Sequence, residues 1–258
     1  MHALITGASS GIGSAIAQAL AEEGYDLSLV ARRRAPLEVT NVRVQKYQQD
    51  LHDIDVLPAL VNTATREFGP VDVLVNNAGL TLVEHTDLVR VEDAERMMRV
   101  NLLAPLTLAR AVLPEMKARG TGTIVDIASV NAFTPTPYSF YYNAAKAGLA
   151  AASESLRAEV RSDGVHVMTV YPGPIATPLL VQATARFEMP MPGFALGKPE
   201  ILARLIVRGI AQKRARIVYP SVFAITQFMP NLSRWATEKM FPPLSAGALQ
   251  APSGSSSR

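Results

Sequence analysis

The sequence predicts a doubly wound α/β fold: one parallel sheet of about seven strands, helices on both faces, and a C-terminal helical extension. Three observations carry this. Short apolar runs alternate with longer helical patterns from end to end, the order that builds a parallel sheet through right-handed crossovers. Runs such as Asp72-Val73-Leu74-Val75 and Thr123-Ile124-Val125-Asp126-Ile127 are short and rich in β-branched residues, as suits strands buried on both faces. A glycine-rich turn, Thr6-Gly7-Ala8-Ser9-Ser10-Gly11-Ile12-Gly13, joins the first run to the first helical stretch.

In chain order, strands are expected near 2–6, 26–31, 42–47, 71–76, 122–128, 165–171 and 216–219. Helices are expected near 11–23, 53–68, 87–99, 102–119, 139–162 and 199–213. Two places break the rhythm. Only about ten residues, Arg32 to Asn41, separate the second strand from the third, and they contain Pro36. That leaves room for at most one helical turn. The stretch 173–198 is rich in Pro and Gly with a weak helical pattern in its middle, and loops of that length are commonly functional. The expected organisation is one domain over 1–220, an apolar helical extension over 221–241 and a flexible tail over 242–258.

Bulk composition narrows the function. The 258 residues are 48% hydrophobic and 18% charged, enough for a sizeable core. Net charge is only +3, and no basic block exceeds Arg32-Arg33-Arg34, which argues against nucleic-acid binding. Without cysteine there is no disulfide, thiolate or cysteine-built metal chemistry. His2, His52, His85 and His166 lack metal-ligand spacing, so no metal is expected. The chain opens directly on a strand, and no apolar run nears 18 residues, so a cytoplasmic protein without a transmembrane segment is expected.

The chemistry centres on Tyr142-Asn143-Ala144-Ala145-Lys146. Residues four apart on a helix share a face. An ammonium beside a phenol favours the phenolate, which would bring the tyrosine pKa down from about 10 and make it a usable acid and base. Of Tyr138, Tyr141 and Tyr142, only Tyr142 has a lysine at +4. Taken alone, such a pair is usually a surface neighbourhood. The glycine-rich turn adds context: it lets a pyrophosphate approach the backbone at a helix N-terminus.

The spacing TGxxxGxG resembles that of the short-chain dehydrogenase/reductase family, in its compact branch. Further motifs carry the resemblance over residues 1 to about 220: Asn76-Asn77-Ala78-Gly79, Val100-Asn101-Leu102, Ser129 after the fifth strand, Tyr142 through Lys146, and Pro172-Gly173-Pro174-Ile175-Ala176-Thr177. The resemblance implies an NAD(P)(H)-dependent oxidoreductase with Asn101, Ser129, Tyr142 and Lys146 as catalytic residues. Tyr142 would protonate a carbonyl as hydride arrives, and Ser129 would hold its oxygen. Lys146 would tune Tyr142 and hold the nicotinamide ribose, and Asn101 would support a relay water. It implies a cofactor site of Gly7, Ser9, Ser10, Gly11, Ile12, Gly13, Asn77, Ala78, Gly79, Pro172 and Gly173. Ile175 and Thr177 would orient the carboxamide. Asp50 would contact adenine through its carboxylate and Leu51 through its backbone. Where an acid would select NAD(H), this chain has Ala31 followed by Arg32, which favours NADP(H). The alternative is a non-catalytic dinucleotide-binding redox sensor of the same fold.

The expected substrate is a small carbonyl or alcohol, apolar in character. Leu179, Leu180, Phe187, Met189, Met191 and Phe194 follow Pro172. Phe223, Phe228, Met229, Leu232, Trp235, Met240 and Phe241 recur at near-helical spacing, with Pro230 between. That extension is expected to pack on the core, cover the substrate, or contact a membrane surface or second subunit. A homodimer is expected through 102–119 and 139–162, where small residues allow close helix packing.

Overall fold

The computed structural model describes residues 1–33, 35–184 and 195–240. Seven parallel strands form one sheet in the order β3-β2-β1-β4-β5-β6-β7. They are β1 (His2–Thr6), β2 (Asp26–Ala31), β3 (Val44–Gln48), β4 (Val73–Asn76), β5 (Gly122–Ile127), β6 (Val165–Pro172) and β7 (Arg216–Tyr219). The helices are α1 (Gly11–Glu22), α2 (Leu57–Phe68), α3 (Val91–Met98), α4 (Ala104–Arg119), α5 (Phe140–Glu159), α6 (Pro178–Thr184), α7 (Pro199–Ala211), α8 (Ile225–Phe228) and α9 (Pro230–Met240).

Strand periodicity sorts the core into two layers. Leu4, Leu74, Ile124 and Val167 are aligned across neighbouring strands and pack with Leu57 and Val61 of α2 and Leu108 and Met116 of α4. One residue further along each strand, Ile5, Val75, Val125 and Met168 face the other way, onto Ile16 and Leu20 of α1 and Leu202 and Ile206 of α7. Each fully buried aliphatic side chain contributes about 1.5–3 kcal/mol, so both faces hold the sheet. The strand order reverses between β1 and β4, and the crevice at their carboxyl ends is where such sheets take ligands.

The short link between β2 and β3 holds no helix among its described residues. Ala35 and Leu37 are buried in its place, with Val39 and Val42 against the α1 layer. Asn41 Nδ2 donates to the Ala21 carbonyl at 2.9 Å, fastening the link to the end of α1. The helices expected at 87–99 and 102–119 are joined by a π-turn, Arg99–Leu103, rather than a break. The weak pattern after Thr177 forms α6, and Pro230 opens α9. The readings placed on Phe187, Met189, Met191, Phe194, Phe241 and 242–258 lie outside the described residues.

Candidate active site

The glycine-rich turn is built by close approach. Gly7 and Gly11 adopt φ of +69° and +58°, where a side chain is strained. A Cβ on Gly13 would lie 2.3 Å from the Gly7 carbonyl oxygen and 2.4 Å from Asn77 Nδ2. Thr6 ties this turn to the next strand. Its hydroxyl donates to Val75 O (3.2 Å) and accepts from the backbone N–H groups of Asn77 (3.0 Å) and Ala78 (3.1 Å). Asn77 Nδ2 donates back to Thr6 O at 3.0 Å and Gly7 O at 3.3 Å. Ser10 stands at the N-cap of α1 but its side chain makes no capping bond. The first turn therefore keeps free N–H donors and a positive dipole end for an anion.

From this turn a cavity of about 400 Å³ runs across the carboxyl ends of the strands. Gly7, Ser9, Ser10, Gly11 and Ile12 of the turn line it, as do Arg32, Asp50, Leu51, Asn77, Ala78 and Gly79. Ser129, Tyr142, Lys146, Pro172, Gly173, Ile175 and Thr177 line its other part. Two predicted residues do not reach it. Gly13 packs beneath Gly7, and Asn101 lies behind the wall, 0% exposed. Arg32 and Arg33 are exposed on the rim and make no ion pair among the described residues. Asp50 is engaged: one carboxylate oxygen accepts from Arg96, and the other from His52 N–H at 3.0 Å. Burial pushes its carboxyl up, but those two donors win and hold it below the usual range.

Asn101 sits in the π-turn. Its Oδ1 accepts from Leu80 N at 2.7 Å and its Nδ2 donates to Leu80 O at 2.8 Å, so its side chain clamps the loop that carries Gly79. π-turns inside helices recur at functional sites. A Cβ on Gly79 would stand in ordinary contact, 3.6 Å from Asn101 Oδ1 and 3.7 Å from Lys146 Nζ, so this loop borders both groups. Lys146 is only 4% exposed and donates to the Ile127 carbonyl at 2.6 Å. Burial pulls its pKa down to about 8, with Asp126 opposing.

Tyr142 corrects one expectation. Its proton affinity is raised, because burial of the phenol end outweighs the hydrogen bond with Ser129 that lowers it. Lys146, expected to pull it down, is itself desolvated and turned onto the Ile127 carbonyl. Ser129 is set by its own loop: its Oγ accepts from Asn131 N–H at 3.1 Å, which leaves the hydroxyl hydrogen to donate into the cavity. Asn131 Nδ2 in turn donates to Asn143 Oδ1 and Thr136 Oγ1, both at 2.9 Å, stitching this loop to α5. Sequence reasoning missed Asn131 and Asn143, since no motif marks them. It also missed Tyr138, whose φ of +64° is strained for a bulky residue and whose ring meets His85 edge-on at 5.0 Å. Among the described residues no cluster of three or more metal-ligating side chains occurs, and no helix is long and apolar enough to cross a membrane.

The cavity thus presents an anion cradle at one end and a proton donor, a hydroxyl and an ammonium at the other. The glycine contacts and uncapped helix end fit a dinucleotide pyrophosphate. Comparison with known proteins agrees. A sequence model described as short chain dehydrogenase matches residues 1–187. A fatty acyl-CoA reductase of Mycobacterium tuberculosis is 35% identical over 197 residues, 72% of this chain and 67% of that one. A ketoacyl reductase of Nostoc is 31% identical over 236 residues, 88% and 82% of the two chains. Among solved structures, a short-chain dehydrogenase from Sphingobium yanoikuyae in complex with NADPH superposes with a TM-score of 0.79 at 30% identity, covering 95% of this chain and 98% of that one.

Proposed function

The chain belongs to the short-chain dehydrogenase family, and from that premise we propose that it is a cytoplasmic, NADPH-dependent reductase of an apolar ketone or aldehyde, with Tyr142 as general acid. The observation that carries this is the single cavity shared by the glycine cradle, Ser129, Tyr142 and Lys146. The bound nicotinamide would supply the hydride. The protein's own groups do the rest. The turn at Gly7 to Gly13 and the start of α1 hold the pyrophosphate, Ile175 and Thr177 hold the carboxamide, and Lys146 holds ribose hydroxyls. Ser129 donates a hydrogen bond to the carbonyl oxygen and stabilises its developing charge. Tyr142, whose phenol is kept protonated by burial, gives its proton to that oxygen. A non-catalytic sensor would have no use for this gathered set.

The preference for NADPH rests on Arg32, exposed on the cavity rim, with buried Ala31 where an acid would favour NADH. A charge-assisted hydrogen bond contributes about 1.5–3 kcal/mol, a factor of about 10–100. Wild type is therefore expected to favour NADPH in kcat/KM, and Arg32→Ala to cut that preference by about 10–100-fold. Arg33 shares the rim, so the double variant Arg32→Ala/Arg33→Ala is measured beside it. A wild type that prefers NADH, or a ratio unchanged in both variants, defeats the reading. The same assay, run with aldehydes, diketones, 3-oxoacyl thioesters and steroid ketones, tests the substrate class. Leu179 and Leu180 line the cavity, and the two curated relatives are named for acyl substrates, so the thioesters are expected to react best.

Two surfaces support assembly. Ala144, Ala147 and Ala151 are exposed along α5, and Leu103 and Leu106 near the start of α4, which favours a homodimer through these helices. The helix α9 is turned inside out: Ser233, Ala236 and Thr237 face inward, while Leu232 and Trp235 (58% exposed) face outward, beside Phe228 (82%). That favours peripheral membrane contact through 221–241. Light scattering of the free protein and its sedimentation with lipid vesicles check the two. A dimer that co-sediments with vesicles is expected, and a monomer that ignores them removes both proposals.

A further inference from the structure

A buried polar rung crosses the sheet directly behind the catalytic lysine. Asn76, Asp126 and Thr169 are aligned partners on β4, β5 and β6. The rung two residues earlier, on the same face, is Leu74, Ile124 and Val167. A strand buried on both faces would ordinarily continue in that apolar vein. Instead Asn76 Nδ2 donates to Asp126 Oδ1 at 2.8 Å. Thr169 Oγ1 donates to Ser153 Oγ at 2.8 Å, and Ser153 hydrogen-bonds the Asp126 carboxyl in turn. All four side chains are buried. Ser153 lies seven residues after Lys146 on α5, on the same inward face. Lys146 Nζ sits on the carbonyl of Ile127, the residue next to Asp126.

A buried carboxyl is costly unless donors and an opposite charge compensate it. Burial raises the proton affinity of the Asp126 carboxyl, but the hydrogen bonds with Asn76 and Ser153 oppose that rise, and a carboxyl surrounded by donors suits the ionised form. Lys146 Nζ meets the Ile127 carbonyl and lies beside the loop at Gly79, where Asn101 Oδ1 also approaches. Asp126 is the acid that acts on it, and Tyr142, one turn earlier on α5, is a titratable group on the same cavity wall. We infer that Asp126 is a positioning residue: its carboxylate, held by Asn76 and the Thr169–Ser153 pair, is the counter-charge that keeps the buried Lys146 ammonium protonated beside the cleft. The inference rests on the reading of Lys146 as a member of the catalytic set. It is supported by the opposition of Asp126 to burial at Lys146, and of Lys146 to burial at Asp126.

The test starts on the free protein, so it does not depend on turnover. The chain has six lysines, and ¹³C-lysine NMR resolves Lys146 by its disappearance in Lys146→Met. Its titration midpoint is expected at about 8 in wild type. In Asp126→Asn, which keeps shape and removes charge, it is expected to fall by about one pH unit or more, the size of an opposite-charge effect at close range. The alkaline limb of kcat/KM should move down with it. If Asp126→Asn does not fold, Ser153→Ala decides: losing one donor weakens the ionised carboxylate, and the Lys146 midpoint should shift in the same direction by less. A midpoint that stays in place overturns the inference. That result would follow from a carboxyl that stays protonated, passing its hydrogen to the unpartnered Asn76 Oδ1. A midpoint that falls while the alkaline limb stays also overturns it. Absence of turnover in wild type would count against the reductase reading alone.

Discussion

Tyr142→Phe is expected to lower kcat by about 10²–10⁴-fold, the usual scale for removing a general acid, while NADPH still binds. Phenylalanine keeps the ring and therefore the packing at the start of α5. What it removes is one oxygen and the hydrogen bond to Ser129. Because burial raises the Tyr142 proton affinity, the phenol carries its proton through the neutral range. The sign follows: reduction, which needs a donor, should be supported at neutral pH, whereas alcohol oxidation, which needs the phenolate, should climb as pH rises. A group acting only in the transition state lowers kcat and kcat/KM together. Cofactor binding followed by fluorescence, beside turnover on the best carbonyl of the panel, separates the two effects. A Tyr142→Phe enzyme with wild-type turnover would remove Tyr142 from the mechanism.

The lining of the candidate cleft was legible in the sequence wherever a fixed local spacing brings residues together. The i, i+4 step from Tyr142 to Lys146 brings both residues to one cavity, and the glycines at 7, 11 and 13 mark a turn too tight for side chains. The short link after Ala31 also announced itself, through its length and Pro36. What spacing could not give is environment. Tyr142 and Lys146 share a face, yet the phenol responds to burial and to Ser129, and the ammonium to Ile127 and Asp126. In the sequence Asp126 only interrupts an apolar run. Its role depends on Asn76 and Thr169, which register places beside it from strands about 50 and 43 residues away. The apolar spacing of α9 was visible as well, but not its direction. That is set by which side finds room against the protein, and there the small residues Ser233, Ala236 and Thr237 face inward. The π-turn at Arg99–Leu103 inserts its extra residue into a pattern that reads as two ordinary helices.

Gly13→Ala is expected to be as damaging to cofactor binding as Tyr142→Phe is to turnover. The added methyl would lie 2.3 Å from Gly7 O and 2.4 Å from Asn77 Nδ2, far inside contact distance. Neither neighbour can easily yield. Gly7 N donates to Val30 O at 2.8 Å, and Asn77 is bound to both Thr6 and Gly7. The movement must then come from α1, whose Ile16 and Leu20 are locked into the sheet core. Overpacking of this kind costs about 1–3 kcal/mol of stability. The larger loss falls on the ligand, because any shift of α1 moves the N–H groups that cradle the pyrophosphate. Thermal melts with and without NADPH read both effects. At a cofactor concentration 100 times Kd, wild type should gain about 2.7 kcal/mol. If the substitution weakens binding about 100-fold, the same concentration adds only about 0.4 kcal/mol. Gly24→Ala is the control. Its φ of +81° makes alanine strained there too, but nothing lies within 4 Å of the added Cβ, so it should lower the melting temperature and leave the NADPH-dependent gain whole. A full gain in Gly13→Ala would mean that the packing of α1 against Gly7 does not set the cofactor cradle.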